Sequence, residues 1–241
     1  MADQHVRRGL ANLSVSQKVN AGGLATLVDI VLVIDGTGSM GPLFEAVKES
    51  ALSFYSRVID GLADKRRRVE NMRLKVIVYR DLYCDERPFE ESPFFNLPEE
   101  KESFEQFVRS LRATGGGDEP ESGLEALWKA IHTDFQSNEE GKKARQIICL
   151  MTDASAHPLE SPKRLGCSSY PNGVPADLLG LEDEWGALDP HAKRLLIFAP
   201  NAYPWVDIQT WPEAQLTISA AGTGLGNDVY ESAINLIAGS V

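Results

Sequence analysis

The stretch LVDIVLVIDGTGSMG, Leu27 to Gly41, decides the reading of this chain. From Leu27 to Asp35 it is a near-continuous apolar run rich in Val and Ile. Such a run fits a strand buried on both faces, as in the middle of a parallel sheet. At Asp35 it gives way to GTGSMG, and Pro42 opens a helical stretch to about Gly61. Proline suits the first helical position, where its missing N–H costs nothing. A buried strand therefore ends in a tight turn carrying one carboxylate and two hydroxyls, and a helix follows.

The rest of the chain repeats this alternation. LKVIVY, 74–79, reads as a second strand, followed by RDLYCDE. Phe89 to Leu97 reads as one short edge strand, because Pro88 and Pro93 disfavour a central one. Pro98 opens a helix to about Leu111, with Phe104, Phe107, Val108 and Leu111 on one stripe. After the glycine-rich loop ATGGGDEPE, 113–121, a helix carries Leu124, Leu127, Trp128 and Ile131 at helical spacing. QIICLMT, 146–152, is another buried strand, ending at Asp153. Arg194–Ala199 and Gln215–Ser219 are two more strands, and Asn227–Ala238 is a closing helix. Between them, 154–190 is rich in Pro, Gly and Ser, with a short helix near 176–185. A loop that long inside a compact domain points to a function, and this one is expected to border the rim and shape partner choice. Strands alternating with helices predict an α/β fold: a mostly parallel sheet of six strands with helices on both faces. Residues 1–26 are polar and aperiodic and read as an N-terminal extension, leaving 27–241 as one domain with 154–190 as an insertion.

Composition narrows the function. The 241 residues carry 24 Lys and Arg against 35 Asp and Glu, a formal charge of −11. Nucleic-acid binding is not expected from that balance, since it shows as a basic footprint. The single basic run, Lys65 to Arg68, reads as a solvated face. Three cysteines, Cys84, Cys149 and Cys167, have no CxxC spacing, which argues against a disulfide framework or a zinc knuckle. The N-terminus lacks the apolar core of a secretory signal, and no 18-residue apolar run exists. The expectation is a cytoplasmic protein with no membrane partner.

Ligand sites in open α/β sheets lie beyond the carboxyl ends of the strands. Asp35, Thr37 and Ser39 follow the first strand; Arg80, Asp81 and Asp85 follow the second. Asp118 lies in the glycine-rich loop, and Asp153 ends a later strand with His157 close behind. Oxygen ligands gathered from separate turns suit a hard divalent cation rather than a soft metal. Asp35 through Ser39, DGTGS, in this strand context resembles the first motif of the von Willebrand factor type A domain. MetThrAsp, 151–153, is similar to that family's third motif. Thr37 stands where the family carries its first serine, and the position of the family's threonine falls at about Asp118. The run 115–121, with TyrArgAsp at 79–81 and the residues 153–158, resembles an intracellular branch that includes bacterial stand-alone proteins and domains attached to atypical kinases. The resemblance covers about residues 27–240 and leaves the insertion unexplained.

The resemblance implies the three-layer von Willebrand A, Rossmann-like fold and a metal-ion-dependent adhesion site. Asp35, Thr37, Ser39, Asp118 and Asp153 would hold Mg²⁺, or Mn²⁺ or Ca²⁺. Asp81, Glu121 and His157 are candidates for an outer shell around it, although Glu121 also suits the first turn of a helix. The implied function is metal-dependent protein–protein interaction by an adaptor, in a bacterial-type cytoplasm. The branch points to phosphorylation or stress-response modules of the tellurite-resistance type. The alternative is a metal-dependent hydrolase or phosphatase-like enzyme. VLVIDGTGS resembles the haloacid-dehalogenase signature, but Val33 stands where that chemistry needs its nucleophilic aspartate. No nucleophile–base pair is visible and no GxGxxG opens the first helix, so no catalysis is expected. GTGLG, 222–226, lacks the Lys-Ser/Thr of a phosphate loop and reads as a turn.

Overall fold

Along Ala25–Asp35 (β1) the side chains alternate between two apolar layers, which is why the run is apolar at nearly every position. Val28, Ile30, Leu32 and Ile34 enter one core, while Val31 and Val33 enter the other. The computed structural model describes residues 25–46, 57–60, 68–116, 119–219, 225 and 227–241. Among them are Arg68–Tyr79 (β2), Phe89–Glu91 (β3), Phe95–Leu97 (β4), Lys142–Met151 (β5), Lys193–Ala199 (β6) and Ala214–Ile218 (β7). The sheet order is β3-β2-β1-β5-β6-β7, with β4 also on β2. All pairings from β2 across to β7 are parallel; β3 and β4 run antiparallel to β2.

Helices cover both faces. Helical residues 41–46 and 57–60, Lys101–Ser110 (α1) and Asn227–Ser240 (α5) surround the core of Phe44, Phe104, Val108, Ile234 and Ile237. Gly123–Ile131 (α2), Leu178–Ala187 (α3) and Trp205–Ile208 (α4) close the other core with Leu124, Leu127, Trp185 and Trp205. Among the described residues no helix is long and apolar enough to cross a membrane.

Two expectations change. The sheet has seven strands rather than six, because 89–97 is two short strands instead of one. Ser92 explains the break. Its N–H donates to Val76 O, and its hydroxyl accepts from Val76 N and donates to Pro93 O. Pro93 has no N–H to offer, so the ladder slips there and resumes at Phe95 opposite Leu74. The second change concerns 154–190. It holds a short 3-10 helix at Pro162–Gly166 as well as α3, and Leu159, Val174, Leu181 and Trp185 are buried in the second core. Its start also lies at the rim, where Ser155, Ala156 and His157 meet Glu121 and Asp81, and Cys167 Sγ lies 3.5 Å from Leu82 O.

The expected N-terminal extension over 1–24, the basic run Lys65–Arg67 and most of the 222–226 turn lie outside the described residues. β1 sits between its successor β2 and the distant β5, so the strand order reverses at the β1–β5 boundary. That is where an open α/β sheet parts its loops and leaves a crevice.

Candidate metal centre

Register places the first two groups. Ile34 lies opposite Met151, so Asp35 and the Thr152–Asp153 step leave adjacent strands side by side. Asp35 is fully buried. Its Oδ1 accepts from Thr37 N at 2.9 Å and Thr37 Oγ1 at 2.7 Å, and its Oδ2 accepts from Thr152 Oγ1 at 2.7 Å. The first of these closes an Asx turn that fixes the loop. Thr37 Oγ1 lies 3.3 Å from Ser39 Oγ, which donates to Asp153 Oδ1 at 3.0 Å. Side-chain oxygens from two loops thus form one chain, Asp35–Thr37–Ser39–Asp153. Burial pushes the Asp35 carboxyl up to about 6; the Thr152 and Thr37 bonds oppose the rise and nearby Asp153 adds to it.

Glycine is required where this loop meets its neighbours. A Cβ on Gly36 would lie 2.6 Å from Val78 Cγ1. Gly36 O accepts from Thr114 N at 2.9 Å, and Gly38 N donates to Gly115 O at 3.3 Å, so the first loop and the glycine-rich loop are stitched together. Gly116, at φ 76°, has the left-handed backbone that side chains resist. Behind the loop, the buried Arg80 donates to Thr114 O, Arg87 O and Arg112 O and pairs with Glu90 at 2.8 Å. It is a strut for the loop rather than a cation offered to a ligand.

Of the five expected ligands, Asp35, Thr37, Ser39 and Asp153 come together, and Asp118 lies outside the described residues. The expected outer shell divides. Asp81 and His157 pair with each other at 3.3 Å, both buried, and Asp81 also accepts from Tyr83 N at 3.0 Å. The His157 ring packs edge-on to Tyr83. This pair ties the loop after β2 to the loop after β5. Glu121 is different. It is 4% exposed, and its Oε2 is buried without a hydrogen-bond partner. Its carboxyl is pushed up to about 8, first by burial and then by Asp35, Asp81, Asp85 and Asp153.

Residue types alone did not single out Thr152, which bonds Asp35, or Tyr79, buried beneath. Burial, with Asp35 near it, holds the Tyr79 hydroxyl well above its usual value. The available signal for Thr152 was its place beside Asp153 at the end of an apolar strand.

The model of the von Willebrand factor type A domain matches residues 29–174, well over half of the chain. The chain belongs to the von Willebrand factor type A domain family. A putative ariadne-like RING finger protein of Acanthamoeba polyphaga mimivirus is 35% identical over 102 residues, 42% of this chain and 9% of that protein. Among solved structures, the pilus adhesin SpaC from Lactobacillus rhamnosus GG superposes at a TM-score of 0.55 with 12% identity, covering 89% of this chain and 30% of the adhesin. A von Willebrand factor type A protein from Catenulispora acidiphila gives 0.53 with 14% identity, covering 89% of this chain and 43% of its own. These likenesses show the fold, and the chain spans less than half the length of each protein.

In this von Willebrand A domain the donors are all oxygen, which suits a hard cation. Among the described residues no three His, Cys, Asp or Glu side chains gather as a metal-holding group. The inner set is two carboxylates joined by two hydroxyls, so an ion there would keep part of its water. Two observations fit the group: Asp35 is buried with no ion pair among the described residues, and Glu121 Oε2 is an orphaned buried acceptor.

Proposed function

We propose that this domain is a metal-dependent protein-interaction module. Asp35, Thr37, Ser39 and Asp153 would hold a divalent cation, Mg²⁺ first, with Asp118 as a further ligand. When bound, the ion would join the loops after β1 and β5 and order the rim on which a partner docks. The protein's own residues do the rest. Thr152 orients Asp35, the Asx turn fixes Thr37, and the stitched glycine-rich loop holds the rim open. The carrying observation is a fully buried aspartate at the strand-order reversal that no cation among the described residues neutralises. Adhesin and von Willebrand A neighbours support the interaction reading, and so does a relative in which the shared stretch is a small part of a long protein.

The hydrolase reading has less support. His157 is buried and faces Asp81, and Ser122 Oγ accepts from Leu82 N while lying 3.4 Å from Asp81 Oδ1. The histidine thus braces a carboxylate and activates no described nucleophile.

An ion that binds only the folded state raises stability as its concentration rises, by about 2.7 kcal/mol at a hundredfold excess over Kd. Mg²⁺ and Mn²⁺ should therefore raise the melting temperature of chelator-stripped protein. Asp35→Ala should abolish the rise. A stripped, folded protein that shifts with neither ion defeats the proposal.

A further inference from the structure

Glu121 sits where the helix-entry loop is clamped to the loop after β5. Its N–H donates to Ser155 O at 3.0 Å, its carbonyl accepts from His157 N at 2.9 Å, and it bridges to Ala156. The backbone is therefore fixed on the Asp153 side of the crevice. The side chain faces Thr37 across Gly116: a Cβ on that glycine would lie 2.9 Å from Thr37 Cβ and 3.2 Å from Glu121 Oε1. A longer residue at 116 would separate the two, and the glycine keeps them neighbours.

Among the described residues Glu121 has no ion pair, and its buried Oε2 accepts no hydrogen bond. Asp35, Asp81, Asp85 and Asp153 stand near enough to repel it. Arg80, the cation beside the glycine-rich loop, is occupied by three carbonyls and Glu90. A buried carboxylate in that company calls for a positive charge or a donor that the described residues do not supply.

We infer that Glu121 is the outer carboxylate of the cation site, and that the rim accordingly takes a partner segment presenting lysine or arginine rather than aspartate or glutamate. The inference rests on the cation reading above. Asp35 and Asp153 already balance a divalent ion. Glu121 adds a further negative charge beside them, acting through the ion's water. A partner carboxylate would then meet a net negative centre, and an ammonium or guanidinium group would meet attraction. The chain's charge of −11 acts in the same direction at longer range.

Calorimetry with Mn²⁺ on the full chain and on Glu121→Gln and Glu121→Ala is the test, followed by titration of the Mn²⁺-loaded proteins with hexalysine and hexaglutamate peptides. Loss of an outer carboxylate typically weakens a metal site about 10- to 100-fold, and that loss is expected in both variants. Hexalysine should bind the wild-type chain in preference to hexaglutamate, and Glu121→Gln should narrow the preference by more than one charge among many would. Equal Mn²⁺ affinity in the wild type and in either folded variant removes Glu121 from the site while leaving the cation reading intact. Hexaglutamate binding as tight as hexalysine to the wild type overturns the partner class. A wild-type chain that binds no divalent ion overturns the cation reading and this inference together.

Discussion

β1 buries two aspartates six residues apart, and the chain treats them in opposite ways. Asp29 faces Arg73, its partner in the strand register, which donates from Nε at 2.8 Å and NH2 at 2.7 Å. Gln136 adds its N–H at 2.6 Å and its Nε2 at 2.7 Å. Both oxygens are saturated and the charge is neutralised from within. Arg73 also stacks on Phe94, 4.3 Å from the ring centre. Among the described residues Asp35, equally buried, receives hydrogen bonds only from threonines and a backbone N–H, and pairs with no cation. A buried carboxylate that the chain compensates itself is a structural joint; one that no described cation compensates is what the proposed ion would neutralise.

The largest expected effect breaks the first half of that contrast. Arg73→Ala would leave Asp29 buried beside Gln136 alone. Removing one partner of a buried ion pair typically costs 3–5 kcal/mol, and the surviving Gln136 bonds place this case near about 3 kcal/mol. Urea denaturation in chelator measures it. A loss below about 1 kcal/mol would mean that Asp29 is adequately solvated by its amide partners and that the contrast is one of degree.

Asp35→Asn should behave in the opposite sense. In metal-free protein near neutral pH it removes a buried charge that no described cation balances. Thr152 can turn its hydroxyl, which lies 3.5 Å from Ala154 O, and accept from the new amide. Stability in chelator should stay within about 1 kcal/mol of wild type or rise above it. The stabilisation by Mg²⁺ should disappear. A marked loss of stability in chelator would make Asp35 a structural joint like Asp29.

Much of the fold was legible because it rests on local signals. The apolar runs of β1, β5 and β6 face two cores, so their lack of alternation announced burial on both sides. The slip at Ser92–Pro93 was not legible, because it depends on a serine hydroxyl replacing a ladder partner on β2. The 154–190 wall was missed for a related reason. Leu159, Val174, Leu181 and Trp185 have no common period, and only the folded chain places them in one core. At the site, residues that end adjacent parallel strands could be listed from the sequence, whereas Thr152 needed the register. Glu121 stood three residues before Leu124 and read as a helix-dipole partner. The helix begins later, at Gly123, and Ser122 uses its hydroxyl on Leu82 N rather than to cap it. Glu121 is thereby left in the crevice instead of on the helix.

The smallest expected effect is a pH slope, and it sharpens the contrast without altering the fold. Asp35 is raised from 3.8 to about 6 and Glu121 from 4.5 to about 8. A carboxyl whose native value is raised binds its proton more tightly folded than unfolded. Its contribution to stability is therefore fully present below the unfolded value and is lost as pH rises through the native one. In chelator the protein should become less stable between pH about 4 and about 8, Asp35 acting up to about 6 and Glu121 continuing to about 8. Asp35→Asn should flatten the lower part, and Glu121→Gln the upper. Saturating Mg²⁺ should flatten both, because the ion supplies the charge that the deprotonated carboxylates lack. Melting temperatures at several pH values, in chelator and in Mg²⁺, give the comparison directly. A chelator slope that survives both substitutions would place the titrating groups elsewhere and leave the two aspartates of β1 energetically alike.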